Sequence, residues 1–363
     1  MQSRWSEQEA AAFVVRYAGQ WGEDLALRTY SSRLIGAERA LVLHGGGNSS
    51  VKSTTLNILG ERIPVLYVKA SGVDMATIEP EGHPGLDLDY LRRLRALAEL
   101  DDAAMVNELR THLLEADVPT PSIEALVHAF LPAKFVDHTH AGAILALTNR
   151  PEGEKWAQEA LGDDVVVLPY VTPGFKLAQA AAEAFAGHPG AVGMVWAHHG
   201  IVTWGETARQ SYERMIELVS RAERFLAGRR RVSSLAGNGQ AKGQRQVEAG
   251  EKEAAQPVPV QERTWQERGG VSTPASAVLS QVAPILRGLL TRRTTDPDRP
   301  YERVVVLPLV GDEVVDLLSR PGARKLLDTA PLTTDHLIRV KPRPLWVEVP
   351  PERAAEEWGA EQW

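Results

Sequence analysis

Three histidines carry the residue type and spacing that can hold a metal ion. His138 and His140 alternate in the run His-Thr-His. Positions i and i+2 of a strand point to the same side, so a strand here would bring two imidazoles to a single ion. His199, next to a glycine after another apolar run, is the candidate third imidazole. Each pattern alone is also compatible with surface or hydrogen-bonded core histidines. Because the chain has no cysteine, any ligand set consists of nitrogen and oxygen donors, which suits zinc or a similar divalent ion.

Glu124 is the acidic candidate beside these histidines. Thr120 and Pro121 are typical of a helix start, as N-cap and first helical residue, so Glu124 is expected about one turn inside a helix that precedes the His138 strand. A carboxylate there could ligate a metal or move protons, or interact with the helix dipole. His128 shares its helix face and is interpreted as a structural neighbour rather than a ligand.

Small polar residues predict an anion subsite near the metal. The glycine-rich run at 45–50 and the pair Ser71-Gly72 offer backbone N–H groups and hydroxyls, and Ser122 lies at the expected helix start, where the dipole favours an anion. The alternative is ordinary loop chemistry. The run lacks the Walker lysine and does not read GxGxxG, which disfavours a nucleotide.

Strands and helices alternate along the chain and position these residues, which indicates an α/β class. Apolar runs predict strands at 40–43, 65–68, 134–140, 165–168 and 191–196. Helices are predicted over the first 20 residues, capped by Ser6, and at 86–97, 103–114, 120–130, 175–185 and 207–226. Farther on, the pattern predicts a helix at 273–290, a strand at 304–307 and a helix at 313–327 that Pro321 breaks.

Length and composition indicate a globular protein of two domains. The chain has 363 residues, of which 44% are apolar and 24% charged. Its net charge of -7 argues against nucleic acid and anionic membranes as partners. The N-terminus lacks the apolar core of a signal peptide, and no apolar run approaches ~18 residues, so a cytoplasmic protein without a membrane span is expected.

The composition also predicts the domain boundaries. Residues 1–228 form the first domain, 229–265 a polar flexible linker, 266–345 a smaller accessory α/β region and 346–363 a tail. The pair Asp335-His336 could reach the site, but a capping or core role is favoured for it.

Six segments, in order, resemble the class II aldolase/adducin family. They read GGGNSS at 45–50, KASGVD at 69–74, PSIEALVH at 121–128, HTH at 138–140, PYVTPG at 169–174 and HHGIVTWG at 198–205. The resemblance covers about residues 30–228. It implies a three-layer α/β/α sandwich around a mixed, largely antiparallel sheet, assembled as a homo-oligomer, most often a tetramer.

Longer phrases resemble one branch of that family. PSIEALVHAFLPAKFVDHTHAGAILALTN and TTDHLIRVKPRPL are similar to the aldolase part of the bifunctional rhamnulose-1-phosphate aldolase/alcohol dehydrogenases. Those proteins continue into a short-chain dehydrogenase domain, whose GxGxxG and YxxxK motifs do not occur in this chain, so dehydrogenase activity is not implied. A stand-alone protein and a fragment of a bifunctional one both remain open.

The resemblance also implies roles for individual residues. His138, His140 and His199 match metal ligands, and Glu124 matches an acidic residue that is both a ligand and a proton donor and acceptor. The positions that match phosphate-binding residues are Gly47, Asn48, Ser71, Gly72 and Ser122. Lys69 is interpreted as a substrate or phosphate contact. Tyr170 matches a tyrosine that reaches a neighbouring subunit's site and protonates the aldehyde oxygen. Ile123 replaces the second of the family's paired serines.

The function these features predict is zinc-dependent retro-aldol cleavage of a ketose 1-phosphate similar to rhamnulose 1-phosphate, giving dihydroxyacetone phosphate and an aldehyde. Another metal-dependent phosphosugar lyase, decarboxylase or epimerase on the same scaffold is an alternative, as is a non-catalytic adducin-like interaction module. The proton-transfer role predicts a pKa for Glu124 nearer neutrality than that of a free carboxyl group.

Overall fold

The computed structural model describes residues 1–237, 283–284, 286–288, 290–295, 300–302, 312–329, 331–333 and 335–336. The chain divides into two compact units, one of Met1–Lys242 and Pro331–Pro342 and the other of Gly243–Ala330 and Arg343–Trp363. The predicted accessory region 266–345 is therefore shared between the two units, because residues 331–342 belong with the N-terminal part of the chain.

A seven-stranded sheet forms the centre of the first unit. Its strands are β1 (Asn48–Leu56), β2 (Arg62–Val68), β3 (Gly85–Asp87), β4 (Phe135–Thr139), β5 (Val165–Leu168), β6 (Gly193–Trp196) and β7 (Gly200–Gly205). Their spatial order is β3-β2-β1-β4-β7-β6-β5. Only β5 and β6 run parallel, and the other neighbours are antiparallel. This confirms the expected mixed, largely antiparallel sheet.

Nine α-helices accompany the sheet in the described part of this unit. They are α1 (Glu7–Trp21), α2 (Glu23–Gly36), α3 (Leu88–Leu94), α4 (Asp102–Thr111), α5 (Ala125–Phe130), α6 (Gly142–Thr148), α7 (Gly153–Leu161), α8 (Phe175–Gly187) and α9 (Ala208–Gly237). As predicted, α1 begins after Ser6, whose Oγ accepts a hydrogen bond from the Glu9 N–H at 3.3 Å. α9 continues past the predicted linker start at residue 229, and residues 238–265 of that linker lie outside the described residues.

Alternation along the strands separates two hydrophobic cores. Val195 and Ile201 pack with α1, α2, α6, α7 and α9 on one face of the sheet. Their strand neighbours Met194 and Val202 pack with α3, α4, α5 and α8 on the other. Helices therefore cover both faces, which confirms the three-layer α/β/α sandwich.

Two predicted elements near the site were placed wrongly. The apolar run 40–43 forms turns, and the strand β1 follows the glycine-rich run instead of preceding it. Residues 120–122 are extended rather than helical, since Ser71 N donates to Thr120 O and Ser122 N donates to Lys69 O. The helix α5 consequently begins only at Ala125, with Glu124 as its N-cap residue.

The second unit is described only in short segments. β8 (Arg292–Arg293) pairs antiparallel with β9 (Tyr301–Glu302), and α10 (Asp312–Ser319) is followed by α11 (Ala323–Leu327). Pro321 lies between these helices, as predicted. Residues 283–284, 286–288 and 290 of the helix predicted over 273–290 are helical, whereas the strand predicted at 304–307 and the tail lie outside the described residues. No helix in the described part of the chain is long and apolar enough to cross a membrane.

Candidate metal and catalytic site

The ends of three strands bring the three histidines together. His138 is the penultimate residue of β4, His140 follows the end of that strand, and His199 lies in the turn between β6 and β7. One ring nitrogen from each histidine lies within 4.8 Å of the others. The Nε2 atoms of His138 and His140 are 3.0 Å apart. A single ion can therefore contact all three imidazoles.

Tight backbone geometry places His199. Residue His198 adopts a left-handed conformation with φ of 62°, which turns the chain sharply between the two strands. A Cβ atom on Gly200 would lie 2.3 Å from the carbonyl oxygen of Thr139 and 3.0 Å from the His138 ring. Glycine at this position therefore allows β7 to approach the end of β4, and the approach carries His199 to His138.

The protonation of two rings shows that the cluster fits a cation. His138 Nδ1 lies 3.1 Å from the carbonyl oxygen of Ile201, and His140 Nδ1 lies 2.5 Å from Oδ1 of Asp335. Both partners accept hydrogen bonds, so Nδ1 carries the proton in each ring. The two Nε2 atoms then face each other at 3.0 Å, a contact that a proton or a metal ion between them would satisfy. With the His199 ring beside them, the residues present fit a divalent metal ion.

Glu124 completes the donor set from the first residue before α5. Its Oε1 is 3.1 Å from His199 Nε2, and its Oε2 is 3.5 Å from His138 Nε2. Although it is buried, Oε1 has no aligned hydrogen-bond partner among the described residues. Buried carboxylate oxygens are normally satisfied, so this oxygen is available for a metal ion or a substrate proton.

The electrostatics of Glu124 differ from the sequence expectation. Burial raises its pKa, but electrostatic interactions with His138, His199 and His140, together with a hydrogen bond to His199, outweigh burial and hold the pKa well below its usual range. The expected pKa near neutrality is therefore wrong for this arrangement, because the sequence did not show how closely the three imidazoles surround the carboxylate. Burial lowers the pKa of His138 well below its usual range, which favours the neutral ring that a metal ligand requires.

A chain of hydrogen bonds behind Glu124 fixes its orientation. Ser50 Oγ and His128 Nδ1 are 2.7 Å apart, and His128 Nε2 and Asn48 Oδ1 are 2.5 Å apart. The amide oxygen only accepts, so His128 donates from Nε2 and accepts at Nδ1. Asn48 Nδ2 then donates to Glu124 Oε2 at 2.6 Å. Burial lowers the pKa of His128 to about 3, consistent with the neutral ring that this chain of bonds needs. His128 thus lies outside the three-histidine cluster.

The three segments predicted to bind phosphate lie together. Ser71 N and Ser122 N donate to backbone oxygens of each other's segment, and a Cβ on Gly45 would lie 2.6 Å from Gly72 O. The backbone N–H groups of Ser71 and Ser122 are therefore engaged in hydrogen bonds within the protein. Ser71 and Gly72 are exposed at the surface. Asn48 Nδ2 also donates to Ser122 Oγ at 3.1 Å, so the Ser122 hydroxyl links this region to Glu124.

Lys69 lies beside the glycine-rich turn but is buried, with 1% of its surface exposed. Its Nζ donates to Gly45 O at 2.9 Å and to Ala70 O at 3.1 Å. Burial lowers the pKa of Lys69 to about 8. In this arrangement the side chain connects the turn at Gly45 to the end of β2.

Tyr170 lies apart from the three-histidine cluster, in the loop after β5. Its side chain is 55% exposed, and its ring contacts His198 edge-on with the centroids 6.3 Å apart. A neighbouring molecule can therefore reach the hydroxyl.

The sequence did not predict the contact between Asp335 and a histidine of the cluster. Asp335 is fully buried and contacts His140, although the sequence favoured a capping or core position for it. Its only sequence signal was the adjacent pair Asp335-His336, and no local pattern links that pair to His140.

Comparison with known families identifies the class of this protein. The model of the class II aldolase and adducin N-terminal domain matches residues 29–226, and that of the second domain of class II aldolases matches residues 277–362. The chain belongs to the class II aldolase and adducin family.

One curated protein is similar over most of the chain. The chain is 33% identical over 324 residues to an uncharacterized oxidoreductase, YuxG, of Bacillus subtilis (strain 168). The match covers 89% of this chain and 42% of that protein, so the chain spans less than half the length of this relative.

Solved structures are also similar. The N-terminal class II aldolase domain of a conserved protein from Thermoplasma acidophilum is 41% identical, with a TM-score of 0.56, over 62% of this chain and 99% of that one. An l-fuculose-1-phosphate aldolase from Thermus thermophilus is 21% identical, with a TM-score of 0.39, over 60% of this chain and 97% of that one.

Proposed function

We propose that this chain is a metal-dependent aldolase, with zinc as the expected metal, that cleaves a ketose 1-phosphate similar to rhamnulose 1-phosphate into dihydroxyacetone phosphate and an aldehyde. The observation that carries the proposal is the pair of facing Nε2 atoms on His138 and His140, 3.0 Å apart, beside the buried Oε1 of Glu124, which lies 3.1 Å from His199 Nε2. Such a cluster fits a divalent cation and offers a carboxylate for proton transfer. Membership of the class II aldolase and adducin family supports the reaction class.

A divalent ion bound by the three histidines would act as a Lewis acid toward the carbonyl and hydroxyl oxygens of a ketose. In the cleavage direction, a base removes the proton of the C4 hydroxyl, the C3–C4 bond breaks and C3 gains a proton. Glu124 is the proposed proton donor and acceptor at C3, since its carboxylate is buried beside the three histidines, with Oε1 3.1 Å from His199 Nε2. The low pKa of Glu124 means that its base form is already present at pH 7.

The phosphate of the substrate is proposed to bind where the glycine-rich turn, the Ser71-Gly72 pair and Ser122 meet. These segments contact one another, and their connection through Asn48 to Glu124 links the phosphate end of the substrate to its reacting end. Holding a substrate at two points fixes the orientation of the bond that breaks. Gly47 and Gly72 both have positive φ values, of 58° and 74°, so glycine suits these two turns.

Tyr170 is proposed to protonate the aldehyde oxygen in the synthesis direction, and so to accept the C4 hydroxyl proton during cleavage, in a neighbouring subunit of a homo-oligomer, a tetramer by resemblance. Its 55% exposure in this chain supports a role outside its own subunit. A site shared between subunits would make activity depend on association. Dilution is then expected to lower specific activity, and Tyr170→Phe to slow cleavage without changing zinc content. Tyr90→Phe, which removes a hydroxyl that bonds Glu108, is the control. Full activity in a monomer would contradict this role.

Two alternatives remain. A different phosphosugar lyase, decarboxylase or epimerase would use the same histidines with other proton-transfer groups. An adducin-like interaction module is the less favoured alternative, because its domains lack the metal histidines and the three imidazoles here converge within 4.8 Å.

Retro-aldol turnover on a panel of ketose 1-phosphates, with and without a chelator, tests the proposal. We expect turnover that the chelator abolishes and zinc restores. Glu124→Gln should retain zinc and lose at least ~10²-fold in turnover, as expected for the removal of a general acid and base. Glu183→Gln, on the exposed surface of α8, is the matched control. Near-normal turnover of Glu124→Gln would exclude the proton-transfer role, and stoichiometric zinc without cleavage of any ketose would favour the other enzyme classes.

A further inference from the structure

Asp335 contacts a metal-site histidine from a distant part of the sequence. It lies 195 residues after His140, in the segment 331–342 that packs with the N-terminal unit, and it is fully buried. Oδ1 is 2.5 Å from His140 Nδ1, and Oδ2 accepts a hydrogen bond from Leu43 N at 2.7 Å. Both carboxylate oxygens are thus engaged, one with the histidine and one with the loop before the glycine-rich turn.

The glycine-rich turn leaves room for this carboxylate. A Cβ atom on Gly46 would lie 1.7 Å from Oδ1 and 2.3 Å from Cγ of Asp335. Gly46 is not among the glycines with positive φ, so its backbone conformation does not require glycine. Glycine is favoured here because the Asp335 carboxylate occupies the space that a Cβ atom would need. The glycine-rich turn, which the sequence predicted only as a phosphate site, therefore also accommodates the Asp335 carboxylate.

His140 contacts the Asp335 carboxylate through Nδ1. It follows the end of β4, and its side chain is 10% exposed. His138 donates from Nδ1 to a carbonyl oxygen of the neighbouring strand β7. For His140, the Asp335 carboxylate takes the place of that carbonyl.

The carboxylate also balances charge. A divalent ion held by three neutral imidazoles brings two positive charges into a buried site, and Glu124 supplies one negative charge. Asp335 supplies the second, because its Oδ1 bonds the far nitrogen of a ligating ring. A carboxylate that bonds a ligating imidazole fixes the tautomer of the ring and raises its basicity.

We propose that Asp335 is a positioning residue of the metal site: it holds His140 in the Nδ1–H tautomer, directs Nε2 toward the ion and thereby sets the affinity for zinc. This inference rests on the metal-binding part of the proposed function. It assigns a metal-site role to a residue in the range that matches the second domain of class II aldolases.

The diagnostic variant is Asp335→Asn. An asparagine of the same shape can still accept from Leu43 N through its oxygen, but its NH₂ group then faces His140 Nδ1. Two donors cannot face each other, so His140 would shift its proton to Nε2 and lose the lone pair that binds zinc. We expect zinc affinity, measured by competition with a chelator, to fall roughly 10- to 100-fold. Asp316→Asn, at an exposed ion pair on α10, is the control and should leave zinc affinity unchanged.

Gly46→Ala provides a second, independent variant. The added methyl group displaces the carboxylate without removing it, so this variant should also weaken zinc binding and alter the visible absorption spectrum of the Co²⁺-substituted protein. Unfolding of each variant in a chelator shows whether it folds. Unchanged zinc affinity in folded Asp335→Asn would overturn the proposal.

A measurement on the wild-type chain tests the tautomer directly. Nitrogen NMR of ¹⁵N-histidine-labelled, metal-free protein at pH 8 reports the tautomer of His140, assigned by comparison with His140→Gln. We expect a proton on Nδ1, and a proton on Nε2 would overturn the proposal. If the wild-type chain bound no zinc, the metal-dependent function would fail, whereas the tautomer would still report separately whether Asp335 orients the ring.

Discussion

Two buried polar clusters lie on opposite faces of the same strand, one residue apart. On the α2 and α9 face, Asp137 Oδ1 pairs with Arg28 Nη2 at 2.5 Å, and Ser211 Oγ donates to Asp137 Oδ2 at 2.5 Å. Both charged side chains are fully buried. One positive and one negative group balance the charge, although Arg28 Nε and Asp137 Oδ1 have no aligned hydrogen-bond partner among the described residues.

On the other face, His138 belongs to a cluster of three imidazoles beside the Glu124 carboxylate. Its Nε2 atom faces that of His140, and Oε1 of Glu124 and Nδ1 of His199 have no aligned hydrogen-bond partners among the described residues. Both clusters contain unsatisfied buried atoms, so burial, polarity and missing partners alone do not identify a functional site. The convergence of several nitrogen donors distinguishes the cluster that can bind a cation from the ion pair that stabilises the fold.

The largest expected effect on stability comes from breaking the buried ion pair between Arg28 and Asp137. Asp137→Asn removes the charge that compensates Arg28, and a buried guanidinium without its partner costs about 3–5 kcal/mol of the free energy of unfolding. Denaturant unfolding in a chelator measures this loss. Asp24→Asn is the matched control, because its ion pair with Lys134 is 29% and 38% exposed and should contribute at most about 1 kcal/mol. A loss for Asp137→Asn no greater than that of the control would contradict the comparison.

Zinc is expected to complete the other cluster and stabilise the folded protein. At a free zinc concentration ~1,000 times the dissociation constant, the free energy of unfolding should rise by about 4 kcal/mol. His138→Ala should abolish this rise, whereas His188→Ala, on an exposed ring, should retain it. Denaturant unfolding with zinc and with a chelator compares the three proteins. An equal zinc effect in His138→Ala and the wild type would show that zinc binds elsewhere.

The smallest effect concerns a histidine on the Asp137 face. The Nε2 atom of His83 lies 3.2 Å from Ser32 Oγ and 3.5 Å from Ser49 Oγ, and burial lowers the pKa of His83 to about 3. The unfolded chain, with an ordinary pKa near 6.5, takes up the proton first as the pH falls. The stability contributed by the neutral ring is therefore complete above about pH 6.5 and is lost progressively toward pH 3.

At pH 5 this loss should amount to about 2 kcal/mol relative to pH 7. His83→Gln should reduce the pH dependence of the free energy of unfolding by that amount, measured in a chelator so that metal binding does not contribute. His188→Gln is the exposed control. His128, whose pKa burial also lowers to about 3, accounts for part of the dependence that remains. An unaltered pH profile in His83→Gln would exclude a buried neutral ring at this position.

Local patterns predicted the elements whose residues signal their own structure. The β-branched run 165–168 forms β5, Ser6 caps α1 and Pro321 separates two helices. β1 escaped prediction because its residues, Asn48–Leu56, are mostly polar and are buried between two neighbouring strands. The helix predicted from Thr120 failed because pairing of Ala70 with Pro121 keeps the segment extended.

The candidate site also combines features that local sequence patterns predicted with features that they did not. The alternation of His138 and His140 and the glycine after His199 predicted three imidazoles that do converge. The pKa of Glu124 depends on how closely those rings surround it, which residue types alone do not show. The contact of Asp335 with His140 joins residues far apart in the sequence, and no periodicity or spacing encodes such a pair.

The position of Asp335 also has a consequence for protein synthesis. The strands and helices of the sandwich are complete when residue 237 has left the ribosome, and N-terminal parts of chains generally fold as they emerge. About a hundred further residues must then be synthesised before Asp335 can contact His140. The nascent chain would therefore pass through a folded stage with three histidines and a weak hold on metal, and tight loading would begin only after Asp335 has emerged.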